Sequence, residues 1–77
     1  DIDVRGMRGD EAVQAITYFI DDAIQFSQPR VRILHGTGTG ILKQLIRQYL
    51  NTVKEVKSYR DEHVQFGGAG ITVVDFE

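Results

Sequence analysis

Val31-Arg32-Ile33-Leu34-His35-Gly36-Thr37-Gly38-Thr39-Gly40 is an apolar run that stops at a histidine, passes through glycines at alternate positions and gives way to an apolar-periodic segment from Ile41. The pattern predicts a strand, a tight turn and a helix. Closely spaced glycines let the backbone bend sharply and approach a ligand, while the first amides of the following helix have no partner within it. That combination favours an anion.

Working outward, Asp1-Ile2-Asp3-Val4-Arg5-Gly6 alternates polar and apolar residues and stops at a glycine, as a short strand does, with Asp3 and Arg5 on one face. Asp10 is a candidate N-cap and Glu11 suits a first helical turn. Ala12, Val13, Ile16, Phe19, Ile20, Ala23 and Ile24 follow at helical spacing, and the helix should end before Gln28-Pro29. Beyond the glycine turn, Ile41, Leu42, Leu45, Ile46, Tyr49, Leu50 and Val53 mark a second one-sided helix. Val56 to Arg60 reads as a more polar strand and Ile71 to Phe76 as an apolar one, separated by Phe66-Gly67-Gly68-Ala69-Gly70.

The order β-α-β-α-β-β implies two right-handed crossovers between parallel strands, with both helices on one face. The last strand can return antiparallel. Its apolar content suits the sheet interior, whereas the charged stretch from Lys57 to Glu62 suits an edge. The expected fold is therefore an α/β (α+β) two-layer sandwich with a mixed four-stranded sheet in the order 1-2-4-3.

A chain of 77 residues is one small domain, 1–77, with a single core. It starts on strand-like residues without a lead-in, so a fragment of a longer protein is expected. No cysteine supports a disulfide scaffold or a thiolate metal site, and no apolar run is long enough for a membrane span. Membrane partners are therefore not expected, and the default setting is cytoplasmic. The net charge of −2 argues against nucleic acid until its distribution is considered. Ala23 to Lys54 contains Arg30, Arg32, Lys43, Arg47 and Lys54 but no acid, and all eleven acidic residues lie in the flanks.

In such a sheet, ligands gather at the carboxyl ends of the parallel strands. Asp3-Val4-Arg5-Gly6 and His35-Gly36-Thr37-Gly38-Thr39-Gly40 would meet there, and Arg60 could join from the third strand. For phosphodiester chemistry, the loop amides and Arg5 would hold phosphate oxygens and neutral His35 would accept a proton. Asp3 would orient the imidazole or bind a divalent ion. The structural alternatives are a hydrogen-bonded strand-end histidine, a local Asp3–Arg5 ion pair and a glycine turn needed only for packing. Lys43, Arg47 and Lys54 fall within about 40° on a helical wheel, and the lack of nearby acids favours binding over a merely solvated face.

The turn is neither a P-loop nor a dinucleotide fingerprint, since the spacing to Gly-Lys-Ser/Thr is missing and Ile41 stands where the latter needs glycine. His63 is expected to face solvent. Tyr18, Tyr49 and Tyr59 are expected at the core border, Tyr59 alone being a candidate for stacking on a base. The two histidines do not form a recognisable metal-ligand set.

These motifs together resemble the small MutS-related (Smr) domain: Asp3-Val4-Arg5-Gly6, the first helix, His35 to Gly40, the basic second helix, Arg60, and Gly67-Gly68-Ala69-Gly70-Ile71-Thr72. The resemblance implies a fold like the C-terminal domain of bacterial translation initiation factor 3, nucleic-acid binding, and, in several members, nicking of DNA or cleavage of RNA. The Asp-x-Arg form looks like that of Smr domains at the C-terminus of a MutS-related ATPase, which implies ATPase domains upstream and a role in recombination suppression or ribosome rescue. Family nucleases often carry Asp-x-His, so Arg5 replaces one proton-transfer group with a permanent cation.

The expected catalytic set is then Asp3, Arg5 and His35. The expected nucleic-acid-binding set is Arg5, Arg8, Gly36, Thr37, Gly38, Thr39, Gly40, Lys43, Arg47 and Arg60. No protein metal site is expected, although cleavage could use a divalent ion. The partner is DNA or RNA; the rival reading is a non-catalytic module docking on ribosomes or nucleoprotein.

Overall fold

The computed structural model describes every residue from Asp1 to Glu77. Strands β1 (Ile2–Asp3), β2 (Arg30–Leu34), β3 (Val56–Asp61) and β4 (Ile71–Phe76) alternate with helices α1 (Gly9–Gln25) and α2 (Ile41–Leu50). The sheet order is β1-β2-β4-β3, as the polarity of the strands required. β1 and β2 are parallel, with Ile2 opposite Ile33, and β4 runs antiparallel to both β2 and β3. The carboxyl ends of β1, β2 and β3 therefore share one edge with the start of β4.

Alternation along β2 turns Val31 and Ile33 inward, both at most 7% exposed, while Arg30 stays exposed on the other face. Those two residues join Val4, Ala12, Ile16, Ile20, Ala23, Ile46, Leu50 and Val74 in one core beneath the helices. Burying side chains of this size gives the domain its main favourable term, and truncating one such as Ile16 to alanine would cost about 2–5 kcal/mol. No helix is long and apolar enough to cross a membrane.

Three local expectations are corrected. The first strand covers only Ile2–Asp3, because Val4 is already turning, with its carbonyl accepting from Met7 at 3.1 Å. α1 begins one residue before Asp10, and its cap is Arg8, whose backbone N–H donates to Glu11 Oε1 at 3.2 Å. Glu11 thus satisfies a donor that the helix cannot. Tyr18 is 62% exposed instead of bordering the core, since it lies on the outer face of α1. Between β3 and β4 the chain forms two short 3-10 turns, Val64–Phe66 and Gly68–Gly70.

Candidate nucleic-acid interface

The loop after β2 is built around Gly36, whose φ of 81° lies in the left-handed region that side chains disfavour. The amides of His35 and Gly36 both donate to the Gly70 carbonyl, at 3.1 and 2.9 Å, which ties this turn to the start of β4. The chain then rises through Thr37, Gly38 and Thr39, whose amides donate to no acceptor in the protein. Gly40 starts α2 in the left-handed conformation without a side-chain cap, and Thr39 Oγ1 accepts from Ile41 N–H at 3.4 Å.

An open cleft of about 380 Å³ is lined by Gly6, Met7, Gly9 and every residue from His35 to Lys43. The turn after β1 and the turn after β2 thus face one space. Exposed amides, a helix N-terminus and a lysine on the same wall form a donor-rich surface suited to phosphate oxygens. A second cleft, of about 220 Å³, lies between Arg5, Gly36 and Thr37 on one side and Gly67, Gly70 and Ile71 on the other.

His35 lies beneath this surface. It is 5% exposed, with Nδ1 2.8 Å from the Gly36 carbonyl and Nε2 2.7 Å from Thr72 Oγ1. A carbonyl can only accept, so Nδ1 carries the proton and Nε2 accepts from the Thr72 hydroxyl. Thr72 Oγ1 accepts in turn from Arg47, at 3.3 Å from Nε and 3.1 Å from Nη2. Burial lowers the His35 pKa; the bond to Gly36 opposes this shift, and the charges of Lys43 and Arg47 reinforce it. The ring is neutral at neutral pH, and both nitrogens are engaged inside the protein.

Asp3 and Arg5 form a fork-to-fork pair, with Nε to Oδ1 at 2.9 Å and Nη2 to Oδ2 at 2.7 Å, while the Arg5 amide also reaches Oδ1 at 3.0 Å. These bonds lower the Asp3 pKa to about 2. Asp3 faces Arg5 instead of the imidazole. Arg5 remains 60% exposed at its side chain, and its stem runs close to Gly36. Its planar charge, aligned by Asp3, can take a phosphate oxygen through the remaining N–H groups.

The acid-free segment of the sequence is not acid-free in space. Asp61, at the end of β3, binds Lys43 Nζ at 2.8 Å and Arg47 Nη2 at 2.6 Å. The hydrogen bond to Lys43 leads the lowering of its pKa. Arg32 pairs with Glu62 and Asp1, and Arg30 with Asp75. Lys43 lines the cleft, whereas Arg47 is held between Asp61 and Thr72 with its guanidinium 5.2 Å from the Tyr59 ring centre. That contact occupies the Tyr59 face expected to be available to a base, and the Tyr59 hydroxyl donates to Asn51.

Arg60 does not join the rim. It stands opposite Val73, on the sheet face away from the helices, and pairs there with Asp75, because alternation along β3 sends it to the opposite side from Asp61. Arg8 lies between two cleft residues, but its own side chain turns to Asp10 and Glu11, at 3.4 and 3.5 Å. Sequence reading missed Thr72 and Asp61. A polar residue at 72 in phase with Val74 along an apolar strand was the available signal for the first; nothing in the local pattern marked the second. His63 is exposed, as expected.

No group of three or more histidine, aspartate or glutamate side chains converges anywhere, and the Asp3 carboxylate is taken by Arg5.

A two-layer domain with two glycine loops meeting at the carboxyl edge of a mixed sheet is thus the class defined by fold and site. The family model described as Smr domain matches residues 2–77, and the chain belongs to that family. Relatives named Endonuclease MutS2 from Geobacillus thermodenitrificans and Bacillus mycoides are each 42% identical over 77 residues, which is all of this chain and 10% of theirs. The crystal structure of the Smr domain of Thermus thermophilus MutS2 is 37% identical and superposes with a TM-score of 0.93, covering 97% of this chain and 94% of that one. YdaL, a stand-alone small MutS-related protein from Escherichia coli, shares the fold at a TM-score of 0.92 and 21% identity, covering 97% of this chain and 62% of that one.

Proposed function

We propose that this chain is a nucleic-acid-binding domain that holds phosphate at the rim between Arg5 and the Thr37–Lys43 segment. The observation that carries the reading is the run of unpartnered amides at Thr37, Gly38 and Thr39 in a cleft shared with Lys43 and the turn after β1. Asp3 presents Arg5, while His35, Thr72 and Arg47 brace the turn from below. The names of the MutS2 relatives support adding phosphodiester cleavage, with Arg5 and the amides stabilising charge on the phosphate. For His35 to act as general base, its Nε2 would have to leave Thr72. A divalent ion would have to come with the substrate, since the protein side chains do not form a site for it.

The second reading is the non-catalytic one, a domain that docks a larger ATPase on ribosomes or nucleoprotein. The internal engagement of both His35 nitrogens favours it. Parallel assays separate the two: binding of labelled DNA and RNA across a salt series, and nicking of supercoiled plasmid or cleavage of RNA. Binding that falls with salt and weakens in Arg5→Ala supports the phosphate rim. Cleavage lost in His35→Gln, with binding retained, supports the nuclease; binding without cleavage supports docking. Salt-independent binding would contradict both.

A further inference from the structure

Phe66 is 64% exposed, and its near neighbour Val64 is 82% exposed, in a loop otherwise made of glycine, one alanine and polar residues. The loop is nevertheless well braced. The His63 carbonyl accepts from the amides of Phe66 and Gly68, at 2.8 and 3.1 Å, and His63 Nδ1 accepts from Gln65 N–H at 3.2 Å. Arg32 Nη2 holds the Phe66 carbonyl at 3.3 Å. At Gly67, φ is 127°, and any Cβ would stand 2.3 Å from Ile71 Cδ1, so the bend that presents Phe66 requires glycine. The His63 ring lies 5.9 Å from that of Phe66 at 53°. An aromatic held outward in this way has little conformational entropy left to lose on binding.

Gly67, the next residue after Phe66, lines the cleft whose other wall is Arg5, Gly36 and Thr37, so the aromatic is one residue along the chain from a cleft that holds two of the proposed phosphate donors. One face of Tyr59 is already covered by Arg47. A phosphate site with an aromatic face beside it matches one nucleotide of a strand whose bases are free to turn outward, whereas bases in a duplex are stacked on their neighbours. Resting on the phosphate-rim reading above, we propose that Phe66, backed by His63, is a stacking platform for one unpaired base, and that this rim takes single-stranded nucleic acid in preference to duplex.

The test is fluorescence anisotropy of the 77-residue chain with a labelled single strand of roughly twelve nucleotides, within the usual size of single-strand sites, and with its duplex. Phe66→Ala should weaken single-strand binding roughly tenfold, as loss of one base–aromatic stack does, without changing the salt slope. Duplex binding should change by less than about twofold, since stacked bases offer no face to Phe66. Phe66→Trp should keep the affinity, and its emission should be quenched by the single strand but not by the duplex. Unchanged single-strand affinity in Phe66→Ala, or equal losses for both nucleic acids, would overturn the platform while leaving the phosphate rim standing. Wild-type protein that binds neither nucleic acid would overturn the rim and the platform together.

Discussion

The two glycine loops look alike in sequence and differ in what they do with their backbone donors. In the loop before β4, the amides of Gly68 and Gly70 are spent on His63 and Gly67, that of Gly67 stays open, and the Gly70 carbonyl accepts twice from the other loop. Its glycines are there for shape. In the turn after β2, three successive amides remain open beside Lys43. Glycine content therefore does not make an anion site; the accounting of donors does.

The contrast breaks most visibly at Gly67. Gly67→Ala places a Cβ 2.3 Å from Ile71 Cδ1 at a φ of 127°, and it should lower stability by about 2–3 kcal/mol in urea denaturation. A loss below about 0.5 kcal/mol, the range of an ordinary surface change, would mean that the loop is not held as described.

The brace beneath the open turn gives the next effect. Unfolded chains take up a proton at the ordinary histidine value of 6.5, whereas folded His35 resists it to lower pH. The unfolded state then binds more protons, so stability falls as pH drops below 6.5 and continues to fall until the folded pKa is passed. Urea midpoints at pH 7 and pH 5 should show the decline, and His35→Gln should reduce it. A wild-type midpoint that does not fall would contradict a buried neutral ring.

Much of this arrangement was legible beforehand, and the part that was not has a common cause. Hydrophobic periodicity placed both helices, and the contrast between a charged and an apolar strand set β4 between β2 and β3. Asp3, Arg5 and the residues from His35 to Gly40 were brought together because consecutive parallel strands end at one edge. Pairing across the sheet was not legible. Asp61 and Thr72 are opposite one another in register, yet they lie far in sequence from the Lys43 and Arg47 that they bind. For the same reason the basic stretch looked free of acids, and Arg60, expected to join the rim from the third strand, points to the other face of the sheet and pairs with Asp75. Phe66 passed unnoticed because a loop aromatic has no periodicity to mark it.

Smaller effects refine the comparison. Asp61→Asn removes the carboxylate shared by Lys43 and Arg47 and should tighten nucleic-acid binding roughly threefold at low salt, with a steeper salt dependence. Weaker binding would show that Asp61 positions these cations for the ligand instead of competing with it. Smallest of all, Gly38→Ala meets nothing within 4 Å and its φ is not positive, so its stability should stay within about 0.5 kcal/mol of wild type, in contrast to Gly67→Ala.

The most direct measurement is a ¹H–¹⁵N correlation spectrum of the chain titrated with a short single-stranded oligonucleotide. The largest shifts should fall on the amides of Thr37, Gly38 and Thr39, with those of Gly68 and Gly70, already bonded within their loop, moving less. Binding that leaves the Thr37–Thr39 amides unshifted would contradict the claim that this turn holds the phosphate.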